Sequence, residues 1–194
     1  MKHPLANISS TSQKPLFFAF LTATLILFAV FQVLDAPLRT PTAPNGILSF
    51  ELAGTPEKAF QILVSWEAVN NDSPIANELR RKLYAAFGLG LDYLFMPVYA
   101  TTLALGILLA TGRHKIWFGT LGAWLGWGAY AAALFDTVEN YALVQILLMN
   151  QLRSPYPQVA SVCAIVKFGL LILGLVFALV GWLWPKKVFD DINP

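Results

Sequence analysis

The sequence predicts an all-α, polytopic membrane protein: four transmembrane helices with an amphipathic outer segment between spans one and two. Composition is the first reason. Of 194 residues, 57% are hydrophobic and only 12% are charged, whereas a soluble domain carries roughly 25% charged residues; mean hydropathy is +0.60. Apolar stretches are the second. Residues 16–34, 87–110, 116–148 and 159–184 each supply about the 20 residues that cross a ~30 Å hydrocarbon core. The third is charge placement, since lysines and arginines cluster at the stretch ends that alternation puts on one side. The whole chain, 1–194, then forms a single membrane domain, and 35–86 forms its outer connection.

Span one is read as a retained anchor. Its apolar run of 19 residues exceeds the 7–15 of a signal peptide, and Leu34 and Pro37 around Ala36 suit a cleavage site poorly. The Pro- and Thr-rich stretch from Asp35 to Pro44 reads as an extended linker. Ile47–Ala53 is apolar but too short to span, so Glu51 either points at the bundle or lies solvated at the interface. Thr55-Pro56-Glu57 makes a helix start, with a cap, a first-turn proline and an acid on the positive dipole end. Ala59, Ile62, Leu63 and Trp66 then share one helical face, while Lys58, Gln61 and Glu67 face elsewhere. Such a helix lies on the membrane or covers the outer end of the bundle. Ser73-Pro74 opens a second helix, carrying Ile75, Leu79 and Leu83, that leads into span two with a bend at Gly88 and Gly90.

Small residues mark one seam on each remaining span. In span three Gly119, Gly122, Gly126, Ala129, Ala133, Asp136 and Asn140 recur at steps of three and four. Span four offers Lys167, Gly174 and Gly181; span two offers Asp92, Met96, Tyr99, Leu103 and Gly106. Small residues let neighbouring backbones approach closely in a membrane.

Orientation follows from Lys2, Lys14, Arg113, Lys115, Lys186 and Lys187, which all fall on one side. The expectation is the inner cell membrane with both termini cytoplasmic and Trp117, Trp182 and Trp184 at that interface. Arg80-Arg81-Lys82 runs against it, just before span two on the outer side.

Asp92, Asp136, Glu139 and Lys167 sit inside these apolar stretches, where each ionised group costs at least ~2.5–3.5 kcal/mol. Alternation of the spans gathers all four in one leaflet, in the outer half. Asp92 lies about 7–8 Å and Lys167 about 12 Å along their helices from the outer ends of the stretches. The expected cluster comprises Glu51, Asp92, Tyr99, Asp136, Glu139, Asn140 and Lys167. One reading is packing glue, a lysine paired with a carboxylate and an asparagine bonding across helices. That reading leaves acids without a counter-charge, which a cation, a proton or a polar ligand would meet.

Familiar chemistry is sparse. Cys163 is the only cysteine, and the two histidines, His3 and His114, fall outside the apolar stretches, so no metal site is expected. Asp136-x-x-Glu139 could offer oxygens to a hard cation, but two carboxylates one turn apart are common by chance. No Walker-type loop, HExxH or GxSxG occurs, no cofactor is assigned, and a net charge of +2 argues against nucleic acid. Trp124, Trp127 and Tyr130 could flank a flat or isoprenoid ligand, or simply face lipid.

Phe50-Glu51-Leu52-Ala53-Gly54-Thr55, Trp66, Leu91-Asp92-Tyr93-Leu94-Phe95 with Tyr99, Asp136-Thr137-Val138-Glu139-Asn140 and Lys167-Phe168 together resemble a family of small bacterial four-helix integral membrane proteins. The similarity covers about residues 47–170. It implies a four-span architecture with an Asp-x-x-Glu-Asn element in the third span, and no catalytic residues. The expected function is a non-enzymatic membrane protein whose polar site binds a lipid, a quinone-like molecule or a small polar ligand. It would act as a carrier, an accessory subunit, or a partner in a homo-oligomer or larger membrane complex. The alternatives are a proton- or cation-coupled transporter and a membrane-embedded lipid-modifying enzyme.

Overall fold

In the computed structural model, residues 1–67, 74–111, 116–149 and 151–183 are described, residues 74–80 and 116 by backbone alone. All regular structure among them is helical. Helix α1 spans Ser10–Asp35 and continues into a 3-10 turn, Ala36–Leu38; the short α2 (Ile47–Glu51) and α3 (Pro56–Glu67) follow. Three long helices follow among the described residues: α4 (Pro74–Thr111), α5 (Ile116–Leu147) and α6 (Tyr156–Leu183).

Among the described residues, three helices are long and apolar enough to cross a membrane: α1 with its 3-10 turn, the Arg81–Thr111 part of α4, and α6. Helix α5 matches them in length, with 32 residues. It packs along both α4 and α6, while α1 lies chiefly against α4. The near end of the bundle is where α1 begins and α4 passes to α5; the far end carries α2 and α3.

The helices are longer than the apolar runs. Helix α1 starts six residues before the apolar run, where the Ser9 backbone carbonyl accepts the N–H groups of Ser12 and Gln13. The helix expected from Ser73-Pro74 and span two are one element, α4, continuous through Gly88, Gly90 and Pro97. Membrane helices tolerate such an interior proline better than soluble ones.

At the far end, Ala59, Ile62, Leu63 and Trp66 of α3 are all buried, with Thr55 Oγ1 accepting the Lys58 N–H at 3.3 Å. The fully buried Trp66 indole donates to the Leu38 carbonyl at 2.8 Å and stands 5.3 Å from the Phe50 ring. Asp35 shapes the linker before α2. Its Oδ1 accepts the Ile47 N–H at 2.7 Å, and its carboxylate occupies the space a side chain at Gly46 would need. Gly46 also has φ +56°, a conformation that costs glycine little.

The near end is closed by small residues. A Cβ at Gly174 would meet Leu103 at 3.0 Å, and one at Gly181 would meet Ala110 at 2.8 Å. One at Gly122 would overlap Thr111, and the Phe118 and Phe177 rings stack at 4.2 Å nearby. The expected seam of α5 is therefore only partly a helix contact. Gly119 has open space around it, whereas Gly126 accommodates the His3 ring. The N-terminal segment folds back along the bundle, and the Trp127 indole donates to the Lys2 carbonyl at 3.2 Å. Arg113, Lys115, Lys186 and Lys187, on which orientation partly rested, lie outside the described residues with His114 and Trp184, as do the side chains of Ile75, Leu79 and Arg80.

Replacing Trp66 by Ala removes the largest side chain of the far-end core and should cost about 3–5 kcal/mol, read from denaturation in detergent. Burial holds the His3 imidazole well below its ordinary value of 6.5, at about 4. Its docking stability is thus complete above the unfolded pKa and lost as pH falls through the folded one. Hydrogen-exchange protection in residues 1–9, corrected for the intrinsic pH dependence of exchange, should fall between pH 6.5 and 4, and a His3→Asn variant should lack that step.

Candidate functional site

Helical spacing explains the core of the site. Asp136 and Glu139 are three residues apart on α5 and so share a face. Lys167, on the facing seam of α6, reaches both: its Nζ donates to Asp136 Oδ1 at 2.7 Å and to Glu139 Oε1 at 2.9 Å. All three side chains are buried. Helix α4 adds Tyr99, whose hydroxyl donates to Asp136 Oδ2 at 2.8 Å. It also brings Asp92, whose Oδ2 accepts the Asn140 Nδ2–H at 2.9 Å; that amide donates to the Leu89 carbonyl as well, at 3.2 Å.

Glu51 closes the cluster from α2. Of the two placements open in the sequence, the structure has the one facing the bundle: Glu51 Oε2 stands 3.6 Å from Lys167 Nζ, an ion-pair distance too long for a hydrogen bond. The seven residues expected to converge therefore do so. Asp92 and Lys167 are further from their helix starts than the apolar runs implied, because α4 begins at Pro74 and α6 at Tyr156.

One ammonium faces four carboxyls: Glu51, Asp92, Asp136 and Glu139. Three buried acceptors in the cluster have no hydrogen-bond partner, namely Glu51 Oε2, Glu139 Oε2 and Asn140 Oδ1. The carboxyls do not assemble into a metal-ligand set among the described residues.

A half-open cavity of about 970 Å³ begins at this cluster. Glu51, Asp92, Asp136 and Lys167 line its polar part, and Leu25, Phe28, Leu103, Leu175 and Leu179 are among its apolar walls. Asp92 and Gly106, both on its α4 wall, are 14 residues apart, about 21 Å along a helix. At the near end Phe17 meets Trp182 at 5.4 Å, and the Trp182 indole donates to the Gly106 carbonyl. The volume is at the upper end of ligand pockets, ~300–1,000 Å³.

Sequence reasoning took α1 for a plain anchor and missed its role as the outer wall. Thr24 and Thr102, which share a 2.8 Å hydrogen bond across α1 and α4, are the signal in hindsight. Asp35, Arg39 and Gln32 also line the cavity, tied by Arg39 donating to both other side chains. Trp124, Trp127 and Tyr130 do not line it. Trp124 and Trp127 are exposed on the outside of α5, and Tyr130 hydrogen-bonds Thr101 at 3.3 Å. Cys163 is buried and free.

Lys167→Met leaves Asp136 and Glu139 buried without their cation and should cost about 3–5 kcal/mol. Adding Asp136→Asn and Glu139→Gln to that variant should recover most of the loss, since a buried ion cluster adds little over matched neutral groups. Denaturation of the two variants beside the parent, in one detergent, measures both.

No family model matches the chain, and no curated protein or solved structure matches it significantly.

Proposed function

We propose that the chain is a four-span inner-membrane protein, both termini cytoplasmic, that binds a long amphiphile such as a lipid or quinone-like molecule. The observation that carries this reading is the chemical asymmetry of the cavity. One end holds carboxyls, the Lys167 ammonium and the Asp35–Arg39–Gln32 group; the remaining length is apolar but for Thr24 and Thr102, which bond each other, and leads to Phe17 and Trp182. An amphiphile has that same division. The half-open form gives such a ligand a lateral route from the bilayer.

Helix α5 as the fourth span is supported by the direction of its polar groups. Asp136, Glu139 and Asn140 are buried, while Leu134, Phe135, Val138 and Tyr141 between and beside them are exposed. A lipid-facing surface of this kind costs nothing in hydrocarbon, because ionisable groups in spans turn toward the bundle interior. The motif resemblance to small four-helix bacterial membrane proteins points the same way. Binding without turnover, as a carrier or accessory subunit, is preferred because no nucleophile or cofactor motif accompanies the carboxyls. The same carboxyls would suit a proton-coupled carrier, for which flux in liposomes driven by a pH gradient is the discriminating measurement.

Two glycines give a clean test of the cavity. Gly88 and Gly90 both have open space where a side chain would project, but Gly88 lines the cavity and Gly90 is exposed and does not. Gly88→Phe should therefore fill the cavity near its polar end with no clash against protein. Mass spectrometry of organic extracts from protein purified in mild detergent should find an amphiphile on the parent and on Gly90→Phe, and a clear loss on Gly88→Phe. Equal recovery from all three would overturn the reading.

A further inference from the structure

The proposed site binds an amphiphile; the geometry further points to a ligand whose head is a protonated amine on a single long tail, and we infer this from what the cluster lacks. The inference rests on the amphiphile reading above.

The head must supply donors and positive charge. Lys167 is already held by Asp136 and Glu139 at 2.7 and 2.9 Å. Glu51 is left at 3.6 Å from that ammonium, and Asp92 is met by the neutral Asn140 amide. Both acids line the cavity. The atoms in the cluster that lack a partner are all acceptors: Glu51 Oε2, Glu139 Oε2 and Asn140 Oδ1. Of these residues only Glu51 lines the cavity, since Glu139 and Asn140 are 0% and 1% exposed; the head is therefore met by Glu51 and Asp92. Buried acceptors without donors are costly, and an ammonium offers three donors together with the missing charge.

The same inventory rejects other heads. A phosphate or carboxylate would bring more acceptors to acids that already outnumber the cation. Lys167, the cation it would need, is committed to two carboxylates. Arg39 at the mouth is likewise paired, with Asp35 at 3.0 Å. A phospholipid is therefore disfavoured even where it carries an amine, because its phosphate comes with it.

The tail is set by length and shape. From Asp92 to Gly106 the cavity wall runs about 21 Å, more than the ~15 Å that one leaflet contributes to a ~30 Å core. Phe17 and Trp182 end it. A single extended chain fits that run better than a short, wide solute.

The test compares three probes of equal tail length, hexadecylamine, hexadecanol and hexadecanoate, on the purified full chain, with affinities from native mass spectrometry. The amine should bind about tenfold or more tighter than the alcohol, the range of one charge-assisted hydrogen bond, and the carboxylate weakest. Glu51→Gln with Asp92→Asn, near-isosteric changes, should bring the amine down to the alcohol, with a thermal melt confirming the fold. Gly88→Phe should weaken all probes together. If the alcohol or the carboxylate equals the amine on the parent, and Gly88→Phe still blocks binding, the head assignment is overturned and the cavity reading stands. If no probe binds, or Gly88→Phe changes nothing, both fall.

Discussion

The arrangement of this bundle depends on Lys167. Its ammonium is buried, so it is tolerable only where its charge is met at contact distance, and Asp136 and Glu139 meet it from one face of α5. That requirement fixes how α6 sits on α5 in both rotation and height, because two carboxyls one turn apart accept one ammonium in few positions. The other elements add to this centre. Tyr99 brings α4 to the far oxygen of Asp136, and Glu51 brings α2 over the top. Buried ion clusters contribute little net stability against apolar packing. Their effect here is on register.

Small residues and large ones then divide the bundle. Toward the near end, Gly122, Gly174 and Gly181 let α4, α5 and α6 close onto one another. At the far end the closure is built as in a soluble core, with Trp66, Phe50, Leu143 and Ile146 buried together. Helix α1 follows neither pattern. It has no buried residue, touches Trp182 through Phe17 near its start, is tied to α4 at Thr24, and leads at its other end into Leu38, which accepts the Trp66 indole. Along its length it lies against α4, where the Phe31 and Phe95 rings stand 5.2 Å apart, while Leu21, Leu25 and Phe28 line the cavity. A helix packed against α4 with other side chains turned to a cavity forms a wall of that cavity.

The polar cluster and the cavity are therefore one unit, with register at one end and room at the other. Ion pairs that lock α5 to α6 leave Glu51 and Asp92 facing the opening with less compensation. Carboxyls that hold Lys167 at hydrogen-bond distance and cavity-lining carboxyls that do not thus occur within a single group, although all four are the same chemistry in the same half of the bundle.

Much of this was legible in the sequence, for reasons of periodicity. Helical spacing put Asp136, Glu139 and Asn140 on one face and Lys167 on the seam with Gly174 and Gly181. Alternation of apolar stretches put the charges at one level. Both follow from backbone geometry that every helix obeys. The same spacing gave the buried face of α3, and Thr55-Pro56-Glu57 its start. What the sequence could not supply was anything set by the separation between helices. The His3 ring against Gly126, the side of the bundle that Glu51 faces, and the cavity beside α1 all depend on which surfaces meet. A residue pattern says which face of a helix is polar or small. Only tertiary packing decides whether that face finds a neighbour, as at Lys167, or an opening, as beside Glu51 and Asp92.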